Sequence, residues 1–178
     1  MQAMLLNFVA GYIWDKYLKR LVMNKLKVMF RKVKKKLSKN KPSWFELAEK
    51  EIGIKEAPGK KDNPRIIEYH MATALKATED SISWCSAFVC FCMETSGIKS
   101  TRNAAARSWL QWGVKLDKPK LGCVVVLWRG SKTDWRGHVG FFIKQDKHNI
   151  YILGGNQADE VNISKYAKAR LLEYRWHQ

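Results

Sequence analysis

Acidic side chains are scarce in this chain. Against 33 Lys and Arg there are 16 Asp and Glu in 178 residues, for a formal net charge of +17. Such an imbalance sets up a field that attracts polyanions: nucleic acid, an anionic membrane surface or an anionic wall polymer. Zinc-type C-x-x-C spacing is absent as well. The four cysteines are Cys85, Cys90, Cys92 and Cys123, and three of them crowd into one predicted helix. That excludes a disulfide framework and a metal site, and leaves free thiols of the kind kept in a reducing cytosol. No run approaches the ~20 apolar residues of a membrane-spanning helix. Nor is there an internal repeat. The uncharged residues 1–14 precede their basic neighbours instead of following them, which is the wrong order for a cleaved secretory signal.

The excess charge is concentrated. Twelve Lys and Arg fall in residues 1–41 with Asp15 as the one acid, so that segment carries about +11 and the rest of the chain about +6. Residues 4–37 have helical apolar spacing with a basic opposite face, and 31–41 (RKVKKKLSKNK) reads as a solvated linker. We therefore expect a basic amphipathic helical leader over 1–41 and a separate domain over 42–178. The leader is expected to seek an anionic membrane surface or to pack as an ordinary helix.

In the body, 44–52 has short amphipathic helix spacing, with Ser43 and Glu46 as a capping box and Gly53 as the stop. Pro64 opens a helix expected to reach about Ala74. Residues 83–96 (SWCSAFVCFCMETS) are apolar on nearly every side, which predicts a buried helix, and a further helix fits 104–111. The period then switches. Runs at 122–129, 138–144, 149–154 and 170–176 are β-branched and aromatic, with a weaker strand at 160–163. Helices first and strands after predict an α+β domain, N-terminal helices packed on an antiparallel sheet.

Three segments carry chemistry. In Ser83-Trp84-Cys85-Ser86-Ala87 the thiol falls in the first turn of the buried helix. Free N–H groups and the helix dipole there favour an anion, which predicts a lowered thiol pKa and a ready oxyanion site. Taken alone, a helix-borne cysteine is a packing residue. In Arg136-Gly137-His138-Val139-Gly140 a histidine opens an apolar strand between glycines, as a base or as a structural residue. In Gly154-Gly155-Asn156-Gln157 a side-chain amide is placed to accept from His138 Nδ1, or the segment is simply a turn.

Together these boxes resemble the papain-like cell-wall peptidases of the NlpC type and the related CHAP amidases. The similarity is greatest to a phage and prophage branch with N-P-R-I-x-E-Y-H (Asn63 to His70), W-C-S-A-F-V (Trp84 to Val89), A-A-A-R-S-W (Ala104 to Trp109) and V-V-x-W-R-G before G-H-V-G-F (Val125 to Phe141). It extends over residues 43 to 176. Cys123 stands where such sequences usually carry an acid, and is expected to be structural.

The resemblance implies a papain-like NlpC/CHAP fold and peptidoglycan hydrolysis as endopeptidase or amidase. It implies Cys85 as nucleophile, His138 as base and Asn156 as the third member, with Gln157 the substitute. Trp84, Ser86, Gln157, Trp135 and His70 are expected at the substrate, His70 alternatively as a buried structural residue. No cofactor or metal is required, the partner is peptidoglycan, no specific nucleic acid is expected, and the chain is expected to be monomeric. It would be made in the cytoplasm and act in the periplasm or wall after release or secretion, as a phage-type lytic enzyme or an antibacterial toxin. The rival from another class is a wall- or membrane-binding protein that has lost the chemistry.

Overall fold

A computed structural model describes residues 41–59 and 61–178, so the expected leader lies outside the described residues. Pro42–Gln178 forms one compact unit. Its elements run α1 (Ser43–Lys50), α2 (Pro64–Met71), α3 (Cys85–Thr95), a 3₁₀ helix (Ala106–Gln111) and then strands β1 (Val114–Leu116), β2 (Val124–Trp128), β3 (Gly137–Gln145), β4 (Asn149–Gly154), β5 (Asn162–Ala167) and β6 (Leu171–Trp176). The six strands form one antiparallel sheet in the order β1-β6-β2-β3-β4-β5. The α+β architecture predicted from the change of period is the one found.

Local chemistry accounts for most element ends. Asn63 caps α2 by accepting from Arg65 N at 2.9 Å, and Pro64 occupies the first turn, where a missing N–H costs nothing. The helix stops at Met71, short of Ala74. At the end of α3, Gly97 takes φ +76. Its N–H bonds Glu94 O at 3.0 Å and the Ile98 N–H bonds Met93 O at 2.9 Å, the paired bonds of a Schellman stop. The expected capping box on α1 does not form. Ser43 lies inside the helix, and Pro42 occupies the cap position with no side-chain bond. The Trp44 indole instead anchors this end, donating to Gly122 O at 2.9 Å.

The helix expected over 104–111 is a 3₁₀ helix over 106–111. The three-residue β1 was not anticipated, and the weak strand placed at 160–163 actually runs over Asn162–Ala167.

Helix α3 lies at the centre. Eight of its eleven residues are buried, from Cys85 to Met93. Phe88 meets Tyr69 from α2 and Phe141 from β3 at ring-centroid distances of 5.4 and 6.3 Å. Full burial of one such ring contributes about 1.5–3 kcal/mol. Period-2 alternation divides the strand side chains between two apolar clusters. Val124, Val126, Val139, Phe141 and Leu153 join the helices. Val125, Leu127, Phe142, Ile150 and Ile152 pack on the opposite face with Cys123 and Tyr174. Cys123 is fully buried there, in the packing role expected of it.

One feature of the sheet positions the site. Strand β4 pairs with β3 as far as Phe141↔Leu153, while β2 pairs with β3 down to Trp128↔Gly137. The β4 side of His138 and Val139 is thus left without a strand ladder, and the tip of α3 lies against this gap.

Candidate active site

Cys85 is the first residue of α3, with Trp84 as its cap. The thiol is held by backbone N–H groups of Val139 and Ser86, so the helix tip faces the gap beside β3. His138 sits on β3 directly across from Leu127 of β2. Cys85, His138 and Asn156 line one cleft of about 150 Å³, with Ser83, Ala104, Ala105, Ala106, Arg129, Trp135, Arg136 and Gly137 as the other walls. Cys85 is 9% exposed and His138 8%, and both line this opening. No direct hydrogen bond joins their side chains among the described residues.

What fixes the imidazole is Gln157. Its Nε2 has only acceptors around it: Asn162 O at 2.6 Å, Asn162 Oδ1 at 3.1 Å and Gly154 O at 3.2 Å. That settles which end of the amide is nitrogen and turns Oε1 toward His138 Nε2, 3.1 Å away. Tyr166 OH donates to the same Oε1 at 2.9 Å, so this oxygen acts as an acceptor only. His138 must then carry its proton on Nε2, and the bare lone pair lies on Nδ1. Nδ1 has no protein partner and is not sealed in the interior, which leaves it open to the cleft. The Tyr166 ring also lies 5.1 Å from the imidazole, centroid to centroid, and the Arg170 guanidinium lies 5.1 Å from the Tyr166 ring and 6.0 Å from that of Trp128.

The residue bonded to His138 is therefore Gln157, the substitute, and not Asn156. Asn156 lines the cleft but does not hold His138. With its carboxamide in the orientation its neighbours demand, it accepts from Trp84 N at 3.2 Å and Trp84 Nε1 at 3.1 Å. Its φ of +54 begins a left-handed turn that swings the next residue inward, and so the amide under His138 is that of Gln157. The bond uses Nε2, not the Nδ1 expected.

Of the five residues expected at the substrate, Trp135 alone is on the cleft and open to solvent, at 78% exposure. Trp84 is wholly buried, its indole donating to Glu56 Oε1 at 2.8 Å, where it packs the turn after β4 against the helix tip. Gly155 makes that approach feasible, since a Cβ there would come within 2.4 Å of the Trp84 ring. Ser86 is buried too, donating to Asn103 O at 2.6 Å and accepting from Trp109 Nε1 at 2.9 Å. It ties the 103–109 wall to α3 and does not face a ligand. Gln157 is 3% exposed, occupied with His138. His70 is fully buried at the end of α2 and does not line the cleft. Burial lowers its pKa, opposed by the nearby backbone of Glu79 and Ile82, and neither ring nitrogen makes a hydrogen bond among the described residues.

The electrostatics also depart from expectation. Burial raises the Cys85 thiol above its ordinary value, and the N–H groups of Val139 and Ser86 with the Arg129 charge only partly oppose this. Burial drives His138 down to about 4, the Gln157 bond pulling weakly the other way. Tyr166 is pushed up to about 12 by burial and stays a donor. Both shifts favour the neutral forms, opposite to the lowered thiol pKa expected from the helix tip. Among the described residues no group of His, Cys, Asp and Glu is arranged to hold a metal.

Two contributors had no role in the sequence reading. Tyr166 lay beyond the end assigned to its strand. Arg129 stood in the quoted W-R-G segment without a function.

Cys85 at the tip of α3 and His138 on β3 thus open on one cleft of an α+β domain. Residues 77–156 match the family model of the CHAP domain. No curated protein matches the chain. Solved structures that match include a protein described as similar to lipoprotein, of the NLP/P60 family, from Staphylococcus aureus subsp. aureus Mu50, at 15% identity and a TM-score of 0.40, covering 68% of this chain and 44% of that one. The chain thus spans less than half the length of that protein.

Proposed function

We propose that this protein hydrolyses amide bonds of peptidoglycan peptide, with Cys85 as nucleophile and His138 as general base. The observation that carries the reading is the Gln157 amide, which holds the base in one tautomer with its free lone pair on the cleft that Cys85 also lines. On substrate binding, His138 Nδ1 takes the thiol proton as Cys85 Sγ attacks the carbonyl carbon. The backbone N–H groups of the first turn of α3 stabilise the oxyanion. Collapse breaks the C–N bond, and the departing amine leaves with the proton from His138. A water molecule, deprotonated by the same nitrogen, cleaves the thioester; the proton returns to sulfur and the peptide acid is released. Gln157 and Tyr166 act through His138 by fixing its ring, and Trp135 gives an exposed aromatic wall for peptide or sugar.

In this reading the enzyme is of lytic type, of phage or prophage origin or a toxin with the same chemistry. It is monomeric, is made in the cytoplasm and acts at the wall after release. Residues 1–41 would bring it to an anionic surface. The test is mass spectrometry of fragments released from purified peptidoglycan. The native protein is expected to release peptide-containing fragments with new amine ends and Cys85→Ala none; equal release by both, or none by either, removes the proposal. The non-catalytic rival predicts wall binding without release by either protein.

A further inference from the structure

The cleft carries a charge that the protein itself leaves unmatched. Two guanidinium side chains, Arg129 and Arg136, line it, and among the described residues no carboxylate does. Arg136 is already satisfied, its Nε and Nη2 donating to Asp134 Oδ2 at 2.9 and 2.6 Å. Nearby Arg107 spends its guanidinium on the backbone carbonyls of Ser131, Lys132 and Arg136. Arg129 differs. Its side chain makes no hydrogen bond or ion pair among the described residues, and it is exposed on the cleft wall. Its own N–H bonds Arg136 O at 3.3 Å, one step beyond the β2–β3 ladder and two residues from the Leu127↔His138 pair. The guanidinium therefore stands beside the base at the mouth of the site.

That placement has a cost in the free protein. Burial first, then the Arg170 charge and then the Arg129 charge disfavour the imidazolium that His138 must become during proton transfer, and of the two charges only that of Arg129 lines the cleft. A carboxylate seated on Arg129 would cancel this charge just as the substrate arrives. Guanidinium is suited to the task, since its planar fork meets a carboxylate through two parallel bonds.

Resting on the peptidoglycan reading above, we infer that Arg129 is the specificity-determining residue of the cleft: it receives a free carboxylate within one residue of the scissile amide, so the preferred substrate is an anionic peptide and not its neutral counterpart. Stem peptide of the wall meets this description where a γ-linked glutamyl residue keeps its α-carboxylate.

The test uses a matched pair of probes, acyl-L-alanyl-γ-D-glutamyl-L-lysine with a free α-carboxylate and the same peptide as the α-carboxamide. Turnover of both is measured with the full chain, and binding of both to the full-length Cys85→Ala protein by calorimetry. The carboxylate form is expected to be favoured at least about 10-fold in each measurement, the worth of one charge-assisted pair. Arg129→Gln should bring both ratios to within about threefold of unity, and Arg129→Lys should keep part of the preference. Because Arg129 is exposed, matching melting curves for the variants establish that the fold is intact. A wild-type ratio near unity, a ratio that survives Arg129→Gln, or binding of neither peptide overturns the inference. Turnover of neither peptide alongside an Arg129-dependent binding ratio supports it while sinking the hydrolase reading. Turnover of both without a charge preference sinks the inference alone.

Discussion

Replacing Gln157 with Ala tests the tether under His138 most sharply. The substitution removes the acceptor for His138 Nε2 and for Tyr166 OH, and the donor to Gly154 O and Asn162 O, in a pocket where Gln157 is 3% exposed. Each buried group left unpaired costs about 1–3 kcal/mol, and these losses overlap because water can enter the space of the lost amide. A stability loss of roughly 2–4 kcal/mol is expected in denaturant unfolding. For catalysis the larger effect is on the tautomer. Without the Oε1 acceptor nothing holds the proton on Nε2, and molecules with the proton on Nδ1 present no lone pair to the thiol. A fall of about 10²-fold in kcat is expected, roughly 2.7 kcal/mol at the transition state, with little change in KM because Gln157 does not reach substrate. Asn156→Ala, which removes bonds to Trp84 and none to His138, should lower kcat by less than about tenfold. Nitrogen NMR of the ring gives an independent readout: Nδ1 should have the bare, pyridine-type signal in the native protein and lose it in Gln157→Ala. A Gln157→Ala enzyme with native kcat, or Asn156→Ala as the more damaging change, would refute this assignment.

Three further outcomes follow from the same contacts. His138 is driven by burial from an ordinary 6.5 to about 4, so on acidification the unfolded chain takes up the proton first; stability present above pH 6.5 is lost as pH falls through about 4, by roughly 3 kcal/mol, and urea titrations of His138→Gln should lack this increment. Ser86→Ala orphans the buried Trp109 indole N–H and Asn103 carbonyl, and should lower unfolding free energy by about 1–3 kcal/mol in the same titrations. Gly155→Ala would drive a methyl to within 2.4 Å of the Trp84 ring and 2.8 Å of Phe88 Cβ, so about 1–3 kcal/mol of stability should be lost, measured by thermal melting, and kcat should fall with it as the helix tip shifts.

The sequence disclosed the site unevenly, for physical reasons. Cys85 was legible only through the resemblance, because a cysteine in the first turn of an apolar helix is, taken alone, a packing residue. His138 was legible because flanking glycines and a switch to period 2 marked its strand. Most strand boundaries followed from the same alternation. What alternation cannot tell is which of two adjacent amides turns inward across a left-handed residue, and Asn156 at φ +54 is such a residue. The resemblance named Asn156; backbone geometry chose Gln157. Trp84 and Ser86 illustrate a second limit. Adjacency to a nucleophile in sequence suggested contact with substrate, but the helix turn points them into the core. The pKa of Cys85 is a third. A helix N-terminus favours a thiolate, yet the burial that outweighs it depends on how closely β3 and the 104–106 wall close over the sulfur. The short β1 and the 3₁₀ winding at 106–111 have too few residues to establish a period.

The account depends above all on acyl transfer to the Cys85 sulfur, and intact-protein mass spectrometry during turnover of a wall peptide tests it most directly. A covalent acyl adduct should accumulate on the native protein, map to Cys85, be released by hydroxylamine as a thioester would, and be absent from Cys85→Ala. Peptide cleavage that proceeds with no adduct, and as fast in Cys85→Ala as in the native protein, would contradict it.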